Sequence, residues 1–141
     1  MTADFVDEVT FDVERGKILE FARATFAEDP VHVSDATARA AGFERVPATP
    51  THVVVAGHHR DQRGFVEKLG LTFERVVVGS VKWTYLRPLL AGDRVHGVRR
   101  VAGDRRKGAL RIVTLETDYV DTAGASVVRV RETLIERGAE A

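Results

Sequence analysis

A chain of 141 residues with 44% hydrophobic and 30% charged residues has the composition of one globular domain, and a single domain over residues 1–141 is expected. The absence of cysteine excludes disulfide scaffolds, thiolate metal centres and thiol catalysis, and the balance of 21 basic against 21 acidic residues argues against a strongly basic nucleic-acid binder. No apolar run approaches the roughly 18 residues of a membrane-spanning helix, and the acidic stretch Met1–Glu8 lacks the apolar core of a secretory signal, so a cytoplasmic protein is expected.

Taken in chain order, Val9–Phe11 reads as a short strand. Asp12 is placed to cap a helix over residues 13–26, with Ile18, Phe21, Ala22, Thr25 and Phe26 at helical spacing. Asp29-Pro30 ends it, and Val31-His32-Val33 reads as extended. Ser34 caps a brief helix from Asp35 to Ala41, closed by Gly42. Thr49-Pro50 is a strong helix start, and the following Thr51–Gly57 is apolar nearly all round, the pattern of a buried helix. One more turn is expected at Phe65–Leu69.

From Leu71 the apolar period changes from helical to two. Val77, Val81, Trp83 and Tyr85 are predicted to share one face of a long strand. Asp93–Ala102, Ala109–Asp121 and Ser126–Glu136 follow as strands, joined by a charged hairpin at Gly103–Gly108 and a turn at Thr122–Gly124. Four successive strands with short connections predict an antiparallel meander. A buried helix ahead of them predicts an α+β domain in which the sheet wraps the helix.

The charges are unevenly spread. Residues 1–44 carry 4 positive and 10 negative charges, whereas residues 82–112 carry 9 positive and 2 negative, among them Arg99, Arg100, Arg105, Arg106 and Lys107. The basic block reads either as a solvated face and turn or as a landing site for phosphates or an acidic partner. His58 and His59, with Asp61 nearby, are adjacent on a helix and so point about 100° apart, and no metal site is expected.

The segment Phe21-Ala-Arg-Ala-Thr-Phe-Ala-Glu-Asp-Pro-Val-His-Val-Ser-Asp-Ala-Thr-Ala-Arg-Ala-Ala-Gly-Phe43 resembles the signature of MaoC-like dehydratases. Ala48-Thr-Pro-Thr51 is similar to the loop leading into their central helix, and Arg87-Pro-Leu-Leu-Ala-Gly-Asp93 to their proline-to-Gly-Asp turn. The three agree in order and spacing over residues 9–137. Val13–Phe21 resembles the first helix of the small subunits of (3R)-hydroxyacyl-carrier-protein dehydratases. The resemblance implies a hot-dog fold, an antiparallel sheet wrapped around one long apolar helix. It implies homodimers or heterodimers with another MaoC-like subunit, thioester sites at the dimer interface, and no cofactor beyond the coenzyme A or phosphopantetheine of the substrate. It implies reversible addition of water across the 2,3-double bond of acyl-CoA or acyl-carrier-protein substrates.

The family's active pattern, Asp-x-Asn-Pro-x-His, maps through Pro30 onto this chain with His32 on the histidine, Asp29 on the asparagine and Ala27 on the aspartate. The histidine is kept and the acid is missing, so Asp29 or Glu28 is left as its substitute. The family's oxyanion hole uses backbone N–H groups at the start of the central helix. Here Pro50 has no N–H, which leaves the donors of Thr51 and His52, with Thr49 alongside. Arg105 and Arg106 are candidates for binding the carrier's phosphates. Three functions follow: a hydroxyacyl-thioester dehydratase or enoyl hydratase, a non-catalytic subunit partnering a catalytic MaoC-like chain, or a thioester hydrolase using Asp61 or Glu67.

Overall fold

The computed structural model describes residues 6–138; Met1–Phe5, part of the acidic start considered above, lie outside them. Five strands, β1 (Val6–Asp12), β2 (Val76–Tyr85), β3 (Arg94–Lys107), β4 (Leu110–Val120) and β5 (Ser126–Glu136), form one antiparallel sheet in the order β1-β3-β4-β5-β2. Alternation explains the inner face: Val113, Leu115, Thr117 and Tyr119 of β4 are buried, as are Val95, Gly97 and Arg99 of β3. Only β3, β4 and β5 form the meander; β2 pairs with β5 rather than β3, which corrects the predicted four-strand order.

The face predicted for β2 also needs correcting. Gly79 is bulged out of the ladder between Val78, opposite Leu134, and Ser80, opposite Thr133. The extra residue reverses the parity, so Val81, Trp83 and Tyr85 face inward while Val77 lies on the opposite face with Ile135. Strand β2 is an edge, and its Val77 and Val78 are both exposed. The predicted charged hairpin is mostly strand, because β3 continues to Lys107 and the turn is confined to Gly108, at φ 60°, and Ala109.

The first helix, α1, spans Arg15–Ala24 and starts after Glu14, whose side chain makes no capping bond, rather than after Asp12; Asp12 ends β1 and pairs with Arg94 at 3.2 Å. It closes through Phe26, whose φ of 59° lets the Ala27 N–H reach the Ala22 carbonyl at 2.8 Å. The segment predicted as extended is a 3-10 turn, Pro30–His32, because Asp29 caps it by accepting the Val31 N–H at 3.0 Å. The second helix, α2 (Asp35–Ala40), starts at Ser34, whose hydroxyl accepts the Thr37 N–H at 3.1 Å.

The long central rod is replaced by two pieces: a 3-10 helix, His52–His59, and α3, Gln62–Lys68. Three successive valines and Gly57 are poor formers of a continuous α-helix, and Asp61 starts a new one by accepting the Gly64 N–H at 3.0 Å. Val53, Val55 and Ala56 of the first piece and Phe65 and Val66 of the second are buried against the sheet, whereas Val54 is 50% exposed, so the first piece is not apolar-packed all round. Two core clusters result, one around the 3-10 helix and one around α3. None of the helices among the described residues is long and apolar enough to cross a membrane.

The chain before the 3-10 helix is fixed to the turn before β3. The Ala48 N–H bonds the Leu89 carbonyl and the Ala91 N–H the Val46 carbonyl, each at 2.8 Å. Asp93, nearly buried, holds that turn by accepting from the Leu90 N–H (2.8 Å), Arg87 (2.7 Å) and Arg45 (3.2 Å). The Arg87–Asp93 motif is thus a structural clamp, and the carboxylates of Asp93 and Asp121 hold the Arg87 guanidinium above its ordinary pKa.

Candidate functional site

His32 is set by its own 3-10 turn and by the Pro47 segment. Its Nδ1 lies 2.8 Å from the Pro47 carbonyl oxygen. A carbonyl only accepts, so Nδ1–H donates, and the neutral ring carries its free lone pair on Nε2. The half-buried imidazole lines an open cavity of about 300 Å³ together with Arg15, Gly16 and Leu19 of α1 and Val33. Those three α1 residues were not anticipated. The helical spacing singles out Ile18, Phe21, Ala22, Thr25 and Phe26 instead, and it carries no signal for a cavity wall. Arg15 is anchored there by the Val33 carbonyl (3.2 Å) and Asp35 (3.3 Å).

The expected carboxylate partners behave differently. Asp29 Oδ1 is engaged in capping Val31, Glu28 is exposed, and Ala27 stands where the family's acid would be. Among the described residues, the structure therefore brings His32 together with a backbone carbonyl, not with a carboxylate.

At the start of the central helix, Thr49 and His52 are buried, and neither the Thr49 hydroxyl nor either His52 ring nitrogen has a hydrogen-bond partner among the described residues. His52 packs edge-on against Phe21, with ring centroids 5.4 Å apart. Burial first, and the Lys17 charge second, lower its pKa to about 4, so the ring is neutral at neutral pH. Of the two backbone donors expected free, the His52 N–H is engaged with the Thr49 carbonyl at 3.0 Å, which leaves that of Thr51, the cap residue. Pro50, exposed, lies before the helix rather than in it, and its carbonyl accepts the Tyr85 hydroxyl.

Arg105 and Arg106 are exposed near the tip of the β3–β4 hairpin. The Pro47–Leu90 bridge and Asp93 put the His32 segment at the opposite end of β3, and the eleven intervening strand residues span roughly 35 Å. Within one chain, these arginines and His32 do not form a single site. Asp61 caps α3, and Glu67 pairs with Arg63 at 3.0 Å on the surface.

Arg99, read above as part of a solvated or phosphate-binding block, is 2% exposed. Its guanidinium pairs with Asp7 at 2.8 Å, donates to Gln62 at 3.0 Å and lies 3.7 Å from the Phe65 ring centroid. Arg60, whose side chain is nearly as enclosed, pairs with the same Asp7 and donates to the Tyr119 hydroxyl at 3.1 Å. Burial and the neighbouring Arg60 charge lower the Arg99 pKa. The signal in the sequence was its parity, since Val95, Gly97 and Arg99 fall on one face of β3.

A family model for the FAS1-like dehydratase domain region matches residues 1–130. A UPF0336 protein of Leifsonia xyli is 37% identical over 129 residues, covering 91% of this chain and 87% of the relative. The C-terminally truncated HadBC (3R)-hydroxyacyl-ACP dehydratase complex of Mycobacterium tuberculosis contains a chain that superposes with a TM-score of 0.82 at 22% identity, over 95% of this chain and 98% of that one. The R-hydratase PhaJ1 of Pseudomonas aeruginosa superposes with a TM-score of 0.72 at 19% identity, over 99% of this chain and 84% of that one. The fold is thus that of the MaoC-like hot-dog dehydratases. A match over nearly the whole length, backed by a relative of this closeness, makes the chain a member of the FAS1-like dehydratase-domain family.

Proposed function

We propose that the chain is a hot-dog dehydratase subunit acting on (3R)-hydroxyacyl thioesters of coenzyme A or an acyl carrier protein, in reversible exchange with the 2-enoyl thioester and water. The observation that carries this reading is the orientation of His32, whose Nδ1–H is fixed on the Pro47 carbonyl so that Nε2 faces its surroundings as a base. In the dehydration direction Nε2 takes the C2 proton, the C2 electron pair becomes the 2,3-double bond as the C3–O bond breaks, and the 3-hydroxyl leaves as water with a proton given by a second acid. Negative charge growing on the thioester oxygen calls for a donor, and the Thr51 N–H at the head of the 3-10 helix is the candidate.

A second reading places the complete site in a heterodimer. Ala27 carries no acid and the Asp29 carboxylate is held by its own turn, so the second proton-transfer group is best supplied by a MaoC-like partner. The HadBC likeness is to a complex, which supports pairing. The hydrolase reading has less support, because Asp61 and Glu67 are engaged as a cap and an ion pair.

The test is loss of water from 3-hydroxyacyl-CoA, followed by enoyl absorbance, for the purified chain, for His32→Ala, and for each mixed with a MaoC-like partner. The expected result is weak activity alone, a gain on mixing, and a loss of about 10²- to 10⁴-fold with His32→Ala. Equal rates for the two proteins in every mixture overturn the assignment, and release of free thiol indicates a hydrolase instead.

A further inference from the structure

Thr49, Pro50, Thr51 and His52 form a β-turn, closed by the His52 N–H on the Thr49 carbonyl at 3.0 Å. Thr51, at φ −94° and ψ 0°, has the dihedral angles of the third residue of a type I turn, and proline suits the second. The peptide group between Pro50 and Thr51 is the centre of this turn. Its N–H is the donor proposed above for the thioester oxygen. The closing bond uses neither the carbonyl nor the N–H of that central group. Rotating the group as a plate gives a type II turn and exchanges the directions of its two ends. The direction of the Thr51 N–H is therefore set by something outside the closing bond.

Two features set it. Type II needs a positive φ at Thr51, which a β-branched residue resists. The second is a tether: the Pro50 carbonyl accepts the Tyr85 hydroxyl. Pro50 has no N–H and the Thr51 side chain makes no capping bond, so the tether comes from β2 rather than from the turn itself. The bulge at Gly79 makes it possible, because it turns Tyr85 inward with Val81 and Trp83, opposite Val128 of β5. Burial first, and the neighbouring Tyr119 second, raise the phenol pKa to about 12, so the hydroxyl remains a donor at neutral pH.

A trans peptide group is planar, and its C=O and N–H point in opposite directions. Holding the carbonyl on Tyr85 thus aims the Thr51 N–H away from β2. A donor on the carbonyl oxygen also draws electron density through the amide, which strengthens the N–H at its other end by roughly 10–30%. We propose that Tyr85 is a positioning residue: its hydroxyl holds and polarises the Pro50–Thr51 peptide, so that the Thr51 N–H meets the negative charge growing on the thioester oxygen. The part played by Thr51 rests on the dehydratase reading above, whereas the control of the peptide by Tyr85 rests on the turn and its tether.

Tyr85→Phe removes the hydroxyl and keeps the ring that packs against the core. Pro50-Thr51 is the one Pro-Thr step in the sequence, so labelling proline at the carbonyl ¹³C and threonine at ¹⁵N gives a single correlated NMR signal. In the variant the Pro50 carbonyl carbon and the Thr51 amide proton are both expected to move upfield, with the melting temperature lowered by no more than about 5 °C. Dehydration of 3-hydroxybutyryl-CoA, by the chain alone and with a MaoC-like partner, is expected to lose about tenfold in kcat with KM changed by less than about twofold. That is milder than the roughly 10²- to 10³-fold loss on deleting an oxyanion donor, because the N–H is still present. The carbonyl stretch of bound crotonyl-CoA labelled with ¹³C at C1 is expected at higher wavenumber in the variant. Unmoved Pro50 and Thr51 signals overturn the tether. Moved signals with an unchanged carbonyl stretch overturn the positioning role, whether kcat is kept or falls in step with loss of folded protein. No turnover and no thioester binding by the natural chain, alone or with the partner, overturns the dehydratase reading, and the labelled signals still decide whether Tyr85 controls the peptide.

Discussion

The Pro47 carbonyl oxygen accepts the Nδ1–H of His32 at 2.8 Å, so a main-chain group does the orienting that a carboxylate performs in many catalytic histidines. The neutral ring is therefore expected as the Nδ1–H tautomer. Nitrogen-15 chemical shifts of the labelled imidazole at alkaline pH check this, and a dominant Nε2–H form would contradict the geometry.

His52 predicts a pH dependence of stability. Its pKa falls from 6.5 to about 4 on folding, so between those values the unfolded chain binds a proton that the folded chain does not. The contribution is complete above pH 6.5, is lost as the pH drops through that window, and levels off below about 4. It amounts to no more than about 3 kcal/mol. Urea titrations of the natural chain and of His52→Leu from pH 7.5 to 4 measure it, and the variant is expected to show the flatter profile.

Asp93→Ala removes the acceptor shared by Leu90 N–H, Arg87 and Arg45. Both arginines are partly exposed and regain water, so the expected cost is about 2–3 kcal/mol rather than the larger penalty of a fully enclosed pair. Because that turn is bonded to the Pro47 segment, the orientation of His32 is expected to loosen too. Chemical denaturation gives the first effect and the His32 ¹⁵N shifts the second.

Arg105→Glu with Arg106→Glu is expected to leave the KM for an acyl-CoA substrate unchanged, since the length of β3 separates these side chains from the His32 end. Steady-state kinetics of the double variant decide it. A raised KM would mean that the hairpin tip of one subunit serves the site of another.

The sheet was legible because its strands keep a period of two over most of their length, and β5 falls on Ser126–Glu136 as predicted. The reading failed where one residue breaks the period: Gly79 shifts parity in β2, and Val77 changes face. It failed also in the central element, where an apolar run specifies burial but not whether three or four residues make a turn; the valines and Asp61 decide in favour of a 3-10 helix and a restart. His32 was found through neighbouring residues in sequence, whereas the Arg15–Gly16 cavity wall and the Arg99–Asp7 ion pair depend on packing between distant segments. Arg99 was misread because charge composition outweighed its inward parity.

Strand β2 closes one side of the sheet with its outward amides and carbonyls unladdered and two valines bare to water. Such a margin invites another strand to zip onto it, and the kink at Gly79 blunts the invitation over only part of its length. The colloidal behaviour of the solitary chain thus becomes a reporter: a partner that hides this margin should turn a self-adhering preparation into one that stays dispersed.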